Sequence, residues 1–228
     1  MKRMIAALLC LMMVLPLCAC RQQVQPETAE TQEPEPVHIE FEDVTPDDPF
    51  YEAVNYCVER GIVNGVSETS FAPDEPMTRA MLVTVLWRAI GSPESEDAGF
   101  SDVPADAWFA DAVDWASDKS IVNGVGDNVF APMSIVTNEQ TCAILCRWSK
   151  LGDAYVHANA DTGDAEGLLA PFADRDSISP WAQETMLWAI ANGVVDSEAA
   201  DGETLLLRPG EGTTRAQLCM AIMRLKES

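Results

Sequence analysis

The sequence predicts a mainly α-helical protein made of three copies of one unit, and two observations predict it. Five short motifs recur in the same order three times, and apolar residues at helical spacing flank them in each copy. The middle copy runs Phe100-Ser101-Asp102-Val103, an apolar-periodic stretch from Trp108 to Ala116, Ile121-Val122-Asn123-Gly124, Phe130-Ala131-Pro132, and a second periodic stretch from Thr137 to Trp148. The first copy repeats it as Phe41-Glu42-Asp43-Val44, Ile62-Val63-Asn64-Gly65, Phe71-Ala72-Pro73 and Thr78-Arg79-Ala80. The third gives Phe172-Ala173-Asp174, Asn192-Gly193-Val194-Val195, Leu207-Arg208-Pro209 and Thr214-Arg215-Ala216. The step from the opening Phe to the Thr is 37 residues in the first two copies and 42 in the third. The units occupy residues 41–90, 100–150 and 171–226, with 151–170 as a linker.

Residues 1–19 read as an export leader. Lys2 and Arg3 precede an apolar run from Met4 to Leu17, too short for a bilayer-spanning helix of about 20 residues. Leu17-Cys18-Ala19-Cys20 resembles a bacterial lipobox, which implies cleavage before a diacylglyceryl-modified Cys20. An ordinary secretory signal cut nearby is the alternative. Anchoring becomes stable with two acyl chains, so an acylated Cys20 would seat the mature chain in the lipid bilayer, on the outer face of the cytoplasmic membrane. Residues 20–40 are rich in Pro, Glu, Gln and Thr, cannot bury enough surface to fold, and are expected to form a disordered tether. His38 there has no second ligand nearby and reads as a spacer.

Each unit is expected to fold as helix, short extended segment, helix. One helical face carries Phe50, Ala53, Val54 and Cys57 in the first copy, Trp108, Ala112, Trp115 and Ala116 in the second, and Trp181, Thr185, Trp188 and Ala189 in the third. Gly61 supplies the left-handed residue that ends a helix, and the Asn-Gly pairs turn the chain. Phe71 and Phe130 lead into Pro73 and Pro132, where extended backbone is favoured. Thr78, Thr137 and Thr214 are N-cap candidates. The helices they start bury Leu82, Val83, Leu86 and Trp87, then Cys142, Leu145 and Cys146, then Leu218, Cys219, Ile222 and Met223.

Composition bounds the function. Fourteen Lys and Arg against 37 Asp and Glu give a net charge of −23, which argues against nucleic acid as a partner. Cys10, Cys18 and Cys20 belong to the leader, while Cys57, Cys142, Cys146 and Cys219 align with small or apolar residues and are expected as buried thiols. An exported chain can form disulfides, although Cys142 and Cys146, one helical turn apart, sit at the outer edge of bridging distance. Two His in predicted loops give no metal-ligand spacing. With no nucleophile elbow, phosphate-cradling loop or structured His base, neither an enzyme nor a cofactor is expected.

Phe-x-Asp-Val, Trp-x-x-x-Ala, Gly-Ile-Val-x-Gly, Phe-x-Pro and Thr-Arg-Ala at these offsets resemble the S-layer homology domain, over residues from about 41 to 226. The resemblance implies a pseudo-threefold arrangement around a central three-helix bundle, formed by the first helices with the second helices outside. It also implies binding of an anionic secondary cell-wall polysaccharide, often through a pyruvylated amino sugar, in grooves between repeats. Arg79 and Arg215 match the family's Arg. A cation in a helix's first turn opposes the macrodipole, and with that turn's N–H groups it would make a site for a carboxylate or phosphate. Asp43, Asp102 and Asp174 either brace the turn into the first helix or line these grooves, and Trp108 and Trp181 are candidate sugar platforms. This chain departs from the family pattern at Asn138, which replaces the Arg, at Pro49-Phe50 in place of the Trp pair, and at Met81, Gln140 and Gln217 in place of Glu. The reading is a noncatalytic, lipid-anchored protein that ties membrane to wall; the alternative is an acidic scaffold that docks a surface protein partner without gripping glycan.

Overall fold

The computed structural model describes residues 40–151, 163–195 and 204–227. The leader, Cys20, both histidines and nearly all of the tether lie outside them. The described chain is mainly helical, with α1 at Tyr51–Glu59, α2 at Arg79–Arg88, α3 at Ala110–Asp118, α4 at Asn138–Ser149, α5 at Ala165–Leu169, α6 at Gln183–Ala191 and α7 at Arg215–Glu227. Repeat one holds α1 and α2, repeat two α3 and α4, and repeat three α6 and α7. Helix α5 falls within the stretch read as linker, where the Asp164 carboxylate accepts from the Gly167 N–H at 2.9 Å and starts a short turn of helix.

First helices end alike. Gly61, Ser120 and Gly193 take φ of 65°, 55° and 64°, and the next N–H reaches back to the carbonyls of Cys57, Ala116 and Ala189. This is the left-handed ending foreseen at Gly61, and repeat two adopts it with serine. Second helices start alike too. Thr78 and Thr137 accept from the N–H three residues on, at 3.2 and 3.4 Å. Gln140 and Gln217 return the bond by accepting the Thr137 and Thr214 N–H groups, at 3.2 and 2.9 Å. Glutamine at the position the family gives to Glu therefore still closes a capping box, which Met81 cannot.

Burial is shared unevenly among the helices. Helix α2 buries Ala80 and every residue from Leu82 to Leu86, and α4 buries eight of its twelve residues. Helix α1 buries only Ala53, Val54 and Cys57, and α6 only Met186 and Ala189. Helix α3, also a first helix, buries five of its nine residues, so the second helices carry more of the burial without the first helices being uniformly outer.

Neighbouring repeats exchange these helices: α2 packs on α3 of repeat two, α4 on α6 of repeat three, and α7 on α1 of repeat one. Where the second helices begin, the backbone makes a closed ring. Met77 N–H donates to the Thr213 carbonyl at 2.8 Å, Thr213 N–H to Val136 at 3.0 Å, and Val136 N–H to Met77 at 3.0 Å. Isolated bridges Pro76–Thr214, Thr78–Ile135 and Thr137–Gly212 border it. Among the described residues the extended segments never become longer strands.

Candidate functional site

The recurring aspartates fasten the motifs of their own repeat. Asp43 accepts from the Phe71 and Ala72 N–H groups at 2.8 and 2.7 Å and from the Ser70 hydroxyl at 2.7 Å. Asp102 takes the Phe130 and Ala131 N–H groups, and Asp174 those of Leu207 and Arg208, at the same 2.8 and 2.7 Å. Drawing two successive N–H groups to one carboxylate bends the backbone. Ala72, Ala131 and Arg208 adopt φ of 58°, 60° and 47°, so the residue before each Pro is left-handed, not extended as expected from the sequence. Burial pushes the Asp43 carboxyl up, but the bonds from Phe71, Ser70 and Ala72 outweigh it and hold the group below its usual 3.8.

This clamp also aligns the aromatic rings. Phe41 meets Phe71, and Phe100 meets Phe130, each with ring centroids 5.6 Å apart. A Cβ on Gly65 would lie 2.5 Å from Phe41, and one on Gly124 2.8 Å from Phe100. The Asn-Gly turns thus need glycine to let the opening Phe pass.

Arginine then crosses to the next repeat. Arg79 donates from Nε to the Phe130 carbonyl and from Nη2 to the Asn123 carbonyl, both at 2.9 Å, with its guanidinium carbon 4.6 Å from the Phe130 ring centre. Arg215 does the same in repeat one, giving Nε to Phe71 at 2.8 Å and Nη2 to Asn64 at 2.6 Å, 4.5 Å over the Phe71 ring. Burial lowers both guanidinium pKa values, opposed by Asp102 for Arg79, and by Cys219, Glu75 and Asp43 for Arg215. Arg215 is only 6% exposed and Arg79 half-buried.

The N–H groups expected to help these cations hold an anion are already taken. Arg79 and Ala80 donate to Ser134 and Pro132, Asn138 and Glu139 to Glu211 and Pro209, and Arg215 and Ala216 to Glu75 and Pro73. Each helix start is capped by the loop of the next repeat. That satisfies orphan donors of the first turn.

Repeat two, lacking the Arg, uses two residues that the motifs did not single out. Asn138 Nδ2 donates to the Arg208 carbonyl at 2.9 Å, and Asn138 Oδ1 accepts from Thr213, whose hydroxyl also lies 2.7 Å from that of Thr141. Glu139, 9% exposed, accepts from the Ser179 N–H at 3.0 Å and its hydroxyl at 2.8 Å. An opening of about 30 Å³, room for about one water, is lined by Asn138, Thr141, Thr213 and Leu207 among others. Glu139 stands where the sister repeats have Ala80 and Ala216, and that departure was the signal in the sequence.

The two candidate tryptophans leave the helical face on which the periodicity placed them. Trp108 and Trp181 lie ahead of α3 and α6 and are 59% and 56% exposed, while Trp115 is buried. Trp108 stands edge-on to Phe109 at 5.1 Å. The structure therefore joins Arg79 with Asp102 and Arg215 with Asp43 across junctions, leaves Asp174 to Asn138's junction, and sets the tryptophans on the surface.

Three interlocked units sharing these clamps define a triple-repeat module. The S-layer homology domain family matches residues 40–80, 99–141 and 171–219, more than half of the chain, and the protein belongs to that family. Relatives include the surface-layer 125 kDa protein of Lysinibacillus sphaericus, 31% identical over 177 residues, covering 78% of this chain and 14% of that protein. The amylopullulanase of Thermoanaerobacterium thermosulfurigenes is 28% identical over 77% of this chain and 9% of its own length. The S-layer-related protein of Niallia circulans is 45% identical over 25% of this chain and 4% of its own length. This chain thus matches only a small part of each.

Proposed function

We propose that the protein is a noncatalytic anchor at the cell surface that holds cell-wall polymer in the junctions between its repeats. The observation that carries this is the pair of exposed tryptophans, Trp108 and Trp181, at corresponding places in two repeats. Large aromatic side chains more than half exposed to water mark a binding surface, and their flat apolar faces suit sugar rings. Kinship with surface-layer proteins supports the cell-surface, wall-anchoring role.

The finer reading is an anionic secondary cell-wall polysaccharide whose carboxylate meets the unused N–H groups of Arg79 and, less accessibly, Arg215. Asp43, Asp102 and Asp174 serve these sites as positioning residues, holding the loops that the arginines cross to. The lipid bilayer, through an acylated Cys20, is the proposed second attachment. Since the full-length relatives include glycosidases, hydrolysis of wall glycan by the purified chain is the check on the noncatalytic reading.

The test is pelleting of the protein with cell walls, before and after acid strips the polymer, for wild type, Trp108→Ala, Trp181→Ala and Arg79→Ala. Pelleting that needs the polymer and weakens in the variants supports the anchor. Wild type left in the supernatant with intact walls from its own source sinks it. The acid excess, 37 against 14 residues, would then favour docking of a protein partner.

A further inference from the structure

We infer that Cys57 and Cys219 form a disulfide that closes the ring of repeats by joining α1 to α7. Both thiols are fully buried where repeat three packs on repeat one, and Cys57 Sγ donates to the Cys219 carbonyl at 3.8 Å. The structure holds both as free thiols, and hydrogen bonding with Cys219, then burial, push the Cys57 thiol up. Cys142 and Cys146 offer a contrast. They lie on one helix, a turn apart, with Cys142 pushed up to about 12 mainly by burial, and they remain thiols because adjacent turns of a helix hold sulfurs at the limit of bridging.

The inference rests on the cell-surface reading only for its oxidant, a small-molecule disulfide. One cysteine, as thiolate, attacks it, forming a mixed disulfide and releasing one small thiol. The second cysteine gives up its proton and displaces the other small thiol. Two protein S–H bonds and the reagent's S–S bond are lost, and one protein S–S bond and two reagent thiols form. Thiols so deeply buried react slowly once α7 is seated. The step therefore belongs to folding, and its product is shielded afterwards. A link between residues 162 apart restricts the unfolded chain strongly.

The experiment refolds the full chain from denaturant in oxidised glutathione, blocks remaining thiols with iodoacetamide, and maps the non-reduced digest by mass spectrometry. A peptide linking Cys57 to Cys219 is expected, with Cys142 and Cys146 alkylated. Dithiothreitol should lower the wild-type melting temperature by roughly 10 °C, but not that of Cys57→Ala or Cys219→Val, residues that sister repeats carry at those places. Alkylation of both Cys57 and Cys219, any other pairing, or an equal dithiothreitol effect in the variants would overturn the inference. Wall pelleting of the same samples reports separately: its loss counts against the anchor and leaves the disulfide standing.

Discussion

Arg215 enters repeat one and Asn138 enters repeat three from the same position of the repeating unit, yet the two junctions are built from different chemistry. Arg215 spans two carbonyls and stacks on Phe71. Asn138 is too short for both tasks. It bonds the Arg208 carbonyl and the Thr213 hydroxyl, and Glu139 supplies the missing reach by gripping Ser179. The neighbours have changed in step: Leu207 stands where Phe71 and Phe130 offer a ring, so no aromatic face is left for an arginine. A junction is therefore a set of mutually fitted residues, and the cation belongs to it only where the ring is present.

The sharpest break is Arg215→Ala. It leaves the Phe71 and Asn64 carbonyls without partners and opens a buried space, at a cost of about 2–4 kcal/mol. Urea midpoints should drop further than for Arg79→Ala, whose site is more open to water. Asp43→Ala comes next, at about 1–3 kcal/mol, by freeing two N–H groups that hold a left-handed residue. Because the folded pKa of Asp43 lies below its ordinary 3.8, its contribution is full above that value and is lost as pH falls through the lower folded one. The gap between wild type and Asp43→Ala in urea should therefore narrow in acid.

Asn138→Arg sharpens the comparison. If the junctions were interchangeable it would stabilise. Without a ring at Leu207, and with Thr213 losing one of its two partners, it should instead cost about 1–2 kcal/mol. The smallest effect concerns the caps. Gln140→Ala should lose about 0.5–1 kcal/mol, and Met81→Gln, which supplies the capping box that α2 lacks, should gain a few tenths.

Much of this was legible from residues. The Phe-x-Asp, Asn-Gly and Thr-Arg-Ala motifs located the helices, but the aspartates, read as bracing the turn into the first helix or lining grooves, instead clamp N–H groups about thirty residues on. How burial is divided among the helices was less legible, since α3 buries five of its nine residues while α1, with a similar apolar stripe, buries three. The occupied N–H groups at the helix starts could not be read at all. Their partners, such as Ser134 for Arg79, are backbone carbonyls of another repeat, and carbonyls leave no mark in a sequence. Exposure of Trp108 and Trp181 likewise depends on where α3 and α6 actually begin.

The anchor reading is tested most directly by calorimetric titration of solubilised wall polysaccharide into the full chain, wild type beside a Trp108→Ala, Trp181→Ala double variant. Surface side chains of this kind contribute little to folding, so the variant should melt like wild type while its affinity falls at least about tenfold, equivalent to roughly 1.4 kcal/mol. Equal affinity in the two proteins would contradict the account.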